Sequence, residues 1–206
     1  MVGVNASQLS PGQAEAARAP VPSVYTWISE TGRMIEQVRI VRKGESSRAR
    51  GRIVSAAHPG QDAFTLEYET EIGPDLAPRR VHLTVSTESY ERTIDLVCDG
   101  EGSWLLDDPA DTRSRVGGEG VVDVEVTFSV FFASVIIRRL GLHAQQDSVE
   151  LRVLSVDSTT LEVTEDSVTM SSDDEKVHGI TATAATSATV DGDGVILDVA
   201  GLSRRA

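Results

Sequence analysis

The sequence predicts an all-β protein, a single strongly curved antiparallel β-roll or barrel of roughly a dozen strands with at most one short helix. Three observations carry this prediction. From Val24 onward apolar and polar residues alternate with period two rather than 3.6. Turn-forming pairs (Gly73-Pro74, Asp99-Gly100, Gly117-Gly118, Asp191-Gly192) fall between the alternating runs. No long stretch combines helical periodicity with caps, and residues 131–140 are the one serious helix candidate.

Residues 1–23 are small, polar and punctuated by Pro11, Pro20 and Pro22, which reads as a flexible tail ahead of one domain, residues 24–206. Short alternating runs follow: Phe64-Thr65-Leu66-Glu67-Tyr68, Val81-His82-Leu83-Thr84-Val85, Ile94-Asp95-Leu96 and Val149-Glu150-Leu151-Arg152-Val153. The clearest alternation runs from Val122 to Val130 and places Val122, Val124, Val126 and Phe128 on one face, with Asp123 and Glu125 on the other. Continued to Leu140 as one strand it would be about 66 Å long at ~3.3 Å per residue, so the chain must bend or break, most naturally around residues 131–134. Residues 180–190 are almost all Thr, Ala, Ser and Val, with threonine supplying β-propensity. With no internal repeat or linker after residue 23, a sheet that closes on itself removes the edges a long flat sheet would expose.

Composition limits the function. Acidic residues outnumber basic ones 32 to 19, a formal net charge of −13, and no concentrated basic patch offers a nucleic-acid interface. Aromatics at 4% supply few stacking platforms for bases or sugars. Cys98 is the only cysteine, which excludes an internal disulfide and a multi-cysteine zinc site. The chain lacks an export-type start and any apolar run of about 20 residues, so the expected location is the cytoplasm, with no transmembrane segment. His58, His82, His143 and His178 are isolated, no G-x-S-x-G elbow is present, and Asp191-Gly192-Asp193-Gly194 lacks the ligand spacing of a calcium loop. Neither a catalytic residue, a metal ligand nor a cofactor is expected from these patterns.

Arg138-Arg139 is the most informative charged pair. In an extended chain the two side chains point to opposite faces. Either both reach solvent at a strand end, or one points inward and needs a carboxylate or an anionic or hydroxyl-rich ligand. Arg138 is the first candidate for the inward position, and Asp123 is a candidate arginine partner.

The order of elements in this chain resembles a known family. Trp27 and Glu36 come first, followed by Asp99-Gly100-Glu101-Gly102-Ser103-Trp104. Val122-Asp123-Val124-Glu125 then runs on into Ile137-Arg138-Arg139-Leu140, and Gly194-Val195-Ile196-Leu197-Asp198 and Gly201-Leu202-Ser203-Arg204-Arg205 close the series. This order is similar to that of the putative glycolipid-binding proteins of bacteria, over residues 24–205. The resemblance implies a curved antiparallel β-roll or barrel with a sizeable interior and an amphiphilic ligand. Where the family places Pro and Asn before I-R-R-L, this chain has Val130-Phe131-Phe132-Ala133-Ser134-Val135-Ile136, which implies a more apolar or different ligand.

The leading expectation is therefore non-enzymatic binding of a glycolipid or lipid in the apolar interior. The candidate ligand-binding residues are Arg138, Arg139, Asp123, Glu36, Trp27, Trp104, Val124, Val126 and Phe128. A hydrolase of a lipid or glycoside using a carboxylate pair is the second reading, and a filled β-roll scaffold without ligand the third. The sequence leaves the oligomeric state and the ligand's identity open.

Overall fold

The computed structural model describes residues 22–99, 103–109, 113–180 and 185–206. The elements of the first half are β1 (Ser23–Ser29), β2 (Met34–Lys43), β3 (Ser46–Ser55), β4 (Phe64–Ile72), β5 (Pro78–Thr87), β6 (Glu91–Cys98), β7 (Trp104–Asp107) and β8 (Ser114–Val116). Then come β9 (Asp123–Val126), α1 (Val130–Leu140), β10 (Ser148–Val156), β11 (Val163–Ser172), β12 (Val177–Ile180), β13 (Ala185–Val190), β14 (Ile196–Val199) and β15 (Ser203–Arg205). Of the expected tail, residues 1–21 lie outside the described residues, and Ser23 already belongs to β1.

Among the described residues, 15 strands form one sheet in the order β8-β7-β6-β5-β4-β3-β2-β1-β15-β14-β13-β12-β11-β10-β9. Two meanders thus meet at the β1–β15 seam, where Trp27 pairs with Arg205 and Ser29 with Ser203. The all-β expectation holds, with two corrections. The sheet is mixed, because β9 pairs with β10 in parallel. A parallel pair needs a long crossover, and α1 supplies it. The expected closure into a barrel is also absent: β8 and β9 are terminal strands and do not pair with each other.

Side chains span the gap instead. The Trp104 indole donates to Val121 O at 2.9 Å, Gly118 N donates to the Glu165 carboxylate at 2.9 Å, and Tyr90 Oη donates to Thr159 O at 2.6 Å. The terminal strands are only 3 and 4 residues long. Short edges offer little template for pairing with another chain.

The stretch 121–140 is where the sequence misleads. Strict alternation ends as a strand at Val126, and Phe128 takes a left-handed conformation at φ 67°. That turn redirects the chain into α1, so the break falls at 127–129 rather than 131–134. Ser129 caps the helix, its Oγ accepting from Phe132 N at 3.2 Å. Gly141 at φ 72° ends it, with Leu142 N donating to Ile137 O at 3.1 Å. Seven of its 11 residues are buried, the pattern of a helix enclosed on nearly all sides. Phe131 and Phe132 face the first meander, Phe131 stacking on Tyr68 at 5.6 Å and Phe132 meeting that ring edge-on at 5.3 Å. No helix among the described residues is long and apolar enough to cross a membrane.

Gly51, opposite Tyr68 in the β3–β4 register, is demanded by this packing, because a Cβ there would come within 2.2 Å of the Tyr68 ring. Gly51→Ala is expected to lower stability by about 1–3 kcal/mol in urea denaturation, the usual range for overpacking. Gly192→Ala, whose Cβ would meet nothing within 4 Å, is expected to stay within about 0.5 kcal/mol of wild type. Equal effects would mean that Tyr68 does not occupy the space over Gly51.

Candidate functional site: an apolar cavity beside the helix

A cavity of about 570 Å³ lies between α1 and the inner face of the second meander. The helix contributes Val130, Ala133, Ile136 and Ile137, three of them at the i, i+3, i+7 spacing of one helical face. Opposite stand Val168 and Met170 of β11, Ala188 of β13 and Ile196 and Val199 of β14. Ser155, Gly179, Thr186 and Ala188 are small, which is why the sheet does not fill the space under the helix. The exposed wall residues mark the opening: Glu30, Thr31 and Arg33 of the β1–β2 turn, His58, Phe128 and Leu202. The Glu30 N–H donates to Leu202 O at 3.0 Å and the Gly201 N–H to Glu30 Oε1 at 3.2 Å, so two turns are tied together at this rim.

The structure scatters the residues singled out from the sequence. Val126 and Phe128 line the cavity, but Phe128 is half-exposed at the rim rather than sharing an inward valine face. Val124 is buried yet off the cavity wall, paired with Leu154 in the core. Asp123, placed by alternation opposite the valines and outside a simple barrel, is 1% exposed. Both faces of β9 are covered: Asp123 meets Arg139 of the helix, and Val124 and Val126 are buried. Trp27 and Trp104 are core residues with bonded indoles, Trp27 donating to Ile196 O at 2.8 Å.

Glu36 is the most constrained of these residues. It alternates with Val38 and Ile40 on the buried face of β2, and its carboxylate is 2% exposed. Four donors hold it: Tyr68 Oη at 2.8 Å and Ser129 Oγ at 2.6 Å on Oε1, Val130 N at 2.6 Å and Phe131 N at 3.2 Å on Oε2. The two backbone N–H groups belong to the first turn of α1, where donors lack helical partners and the helix dipole favours negative charge. Burial pushes the Glu36 carboxyl above its ordinary value, and these four bonds counter that shift. Burial and the adjacent carboxylate push the Tyr68 phenol well up.

Arg139, not Arg138, is the arginine that meets Asp123. Its Nε donates to Oδ1 at 2.7 Å and its Nη2 to Oδ2, a fork fixing the end of α1 to β9. The expectation of opposite faces fails because the pair sits in the last helical turn, about 100° apart rather than 180°. Arg138 packs instead over the β13–β14 turn at Gly194.

Sequence reasoning missed the cavity's own charged pair, Glu125 of β9 and Asp166 of β11. In register Glu125 lies opposite Ser155 and Asp166 opposite Val153, so the two carboxylates flank β10 on its cavity face. Burial and then the Asp166 charge push the Glu125 carboxyl up. The alternation at 122–126 held the signal, because it sets Glu125 on the face of Asp123, a face that the helix covers. Among the described residues, no group of three His, Cys, Asp or Glu is placed to hold a metal ion.

Two expectations follow. Glu36→Gln replaces an acceptor by an amide whose NH₂ faces donors, and should cost about 2–4 kcal/mol, against about 1 for Tyr68→Phe. Since the folded pKa of Glu36 is raised, the folded protein holds this proton more tightly than the unfolded chain. Stability should therefore fall as pH rises from the ordinary carboxyl range through the raised value, and Glu36→Gln should flatten that slope in denaturation curves taken at several pH values. Arg139→Met leaves the Asp123 carboxylate buried and unpaired and should cost about 3 kcal/mol, whereas Arg138→Met should cost far less. A reversed order would show that the fork to Asp123 does not form.

The comparisons agree with this architecture. No curated protein matches the chain. A crystal structure of a DUF1089 family protein from Pseudomonas aeruginosa matches with a TM-score of 0.67 at 22% identity, covering 83% of this chain and 92% of that one. At that identity the likeness shows the fold. A family model described as "Putative glycolipid-binding" matches residues 24–205. The resemblance first seen in the order of Trp27, the Asp99–Trp104 segment and I-R-R-L thus extends along the whole described sheet, and the chain belongs to the putative glycolipid-binding family.

Proposed function

We propose that this protein binds an amphiphile, a glycolipid or lipid, in the cavity under α1, without transforming it. The observation that carries this reading is the cavity itself. Its volume of about 570 Å³ lies in the range of small-molecule sites, its walls are mainly aliphatic, and its charged residues are Glu30 and Arg33 at the opening and Glu125 and Asp166 beside β10. An acyl chain would lie between Ile136, Ile137 and the Val168–Met170 face, with the head group toward Glu30, Arg33, His58 and Glu125. The family's description supports this class of ligand. A scaffold without ligand would have filled the space, since close-packed interiors leave few voids larger than a water molecule. In this reading residues 24–206 act as one unit. The compartment is the cytoplasm, where an unpaired thiol such as Cys98 stays reduced.

The hydrolase reading draws on one observation, the Glu125–Asp166 pair with one carboxyl raised. Binding ranks above it because the cavity is mostly aliphatic wall, suited to holding a chain.

Filling the cavity tests the reading. Ala188→Leu adds volume where there is room, so the fold should persist while displacement of a bound fluorescent fatty acid analogue weakens by about tenfold or more. Val124→Phe, in the close-packed core, should instead cost about 1–3 kcal/mol of stability. Retained binding in Ala188→Leu would place the ligand elsewhere. Release of nitrophenol from a nitrophenyl glycoside or ester, abolished by Glu125→Gln, would favour the hydrolase.

A further inference from the structure

Resting on the reading of the cavity as an amphiphile site, we propose that the Glu125–Asp166 side of the cavity is a cation-accepting subsite, selecting an amphiphile with an ammonium head group over neutral or anionic ones. Glu125 is half-buried in the cavity wall, and among the described residues no hydrogen-bond donor or cation reaches its carboxylate. Asp166, on the same face across β10, accepts from Ser167 N at 2.7 Å within its own strand and has no ion-pair partner among the described residues. Elsewhere the enclosed carboxylates are matched: Glu36 has four donors and Asp123 has Arg139. Two neighbouring carboxylates in a partly dry wall, Glu125 with no donor and Asp166 with one backbone N–H, repel each other and lose hydration, and a cation between them relieves both costs.

A second observation at the same cavity points to a polar ligand group. Ser203 belongs to the wall, is 3% exposed, and its hydroxyl has no hydrogen-bond partner. Unsatisfied buried hydroxyls are uncommon, and this one sits on a residue of the cavity wall. The arginine and histidine at the site, Arg33 and His58, are exposed at the opening, where solvent screens them. A phosphate, sulfate or carboxylate head would therefore meet like charge in the half-buried wall and only screened countercharge at the rim. An ammonium gains two charge-assisted bonds in the same place.

The test uses three twelve-carbon probes below their micelle concentrations at neutral pH and physiological salt: dodecylamine, dodecanol and dodecanoate, each displacing a fluorescent fatty dye from the full chain. Dodecylamine should bind about tenfold or more tighter than dodecanol, with dodecanoate weakest, in line with one net charge-assisted contact. Glu125→Gln, and separately Asp166→Asn, should bring dodecylamine to the level of dodecanol measured on the same variant. Circular dichroism should confirm that both variants are folded. Glu150→Gln, at an exposed β10 position outside the cavity, should preserve the wild-type order and so report the long-range pull of the net charge. Equal binding of dodecylamine and dodecanol, or a Glu150→Gln effect as large as that of Glu125→Gln, would overturn the cation subsite and leave the amphiphile cavity standing. Failure of all three probes to bind would remove both.

Discussion

The whole molecule depends on the meeting of a buried carboxylate and a helix start. Glu36 could not be enclosed in the sheet without donors, and α1 could not begin in the interior without acceptors for its first N–H groups. Each supplies what the other lacks, and Tyr68 and Ser129 complete the set. Three distant segments, β2, β4 and the β9–α1 turn, are thereby locked together. The left-handed Phe128 belongs to the same arrangement. A non-glycine residue holds that conformation where the surroundings fix it, and here the next residue must present its hydroxyl to Glu36 while capping the helix.

With its start fixed to the first meander, the helix is held at two further points. Ser134 Oγ donates to Val130 O at 2.8 Å and accepts from Ile196 N at 3.2 Å, tying the middle of α1 to β14. Arg139 fastens its end to Asp123 of β9. The aromatic side of α1 fills the space against Tyr68, while its aliphatic side meets strands carrying small residues. A rigid helix held over a thinly furnished sheet cannot sink to close the gap, so a cavity is the consequence of the anchors and of Ala188, Thr186, Gly179 and Ser155 together.

Period two made the strands legible, and the turn pairs gave their order. The alternation that separated Val124 from Asp123 was also real. What it could not supply was which face met what, since alternation specifies shared faces and not their surroundings. A face of carboxylates reads as solvent-facing unless a distant arginine, here 16 residues on, returns to cover it, and the return requires a helix. That helix hid within an apolar run because residues buried all round show little amphipathic period. Glu36 was readable in principle: it has the parity of Val38 and Ile40, and a charged residue in register with a buried face signals a paired interior group. Glu125 and Asp166 lie 41 positions apart in the sequence, and only the parallel register of β9 with β10 brings them to one wall.

Three acidic sites around α1 and its cavity differ in a way that separates architecture from ligand chemistry. At Glu36 and Asp123 the protein itself provides the countergroups, and each site joins two elements of the fold. At Glu125 and Asp166 neither condition holds: the carboxylates fasten nothing, and their neighbours on the cavity wall are aliphatic or hydroxylic. A folding role does not explain a mutually repelling pair that crosses no interface, whereas a binding role does, because the cost of keeping it uncompensated is recovered when a cation arrives. The acidic excess of the chain, −13, acts in the same direction over longer range, drawing cationic amphiphiles toward the opening while the pair supplies the local contact.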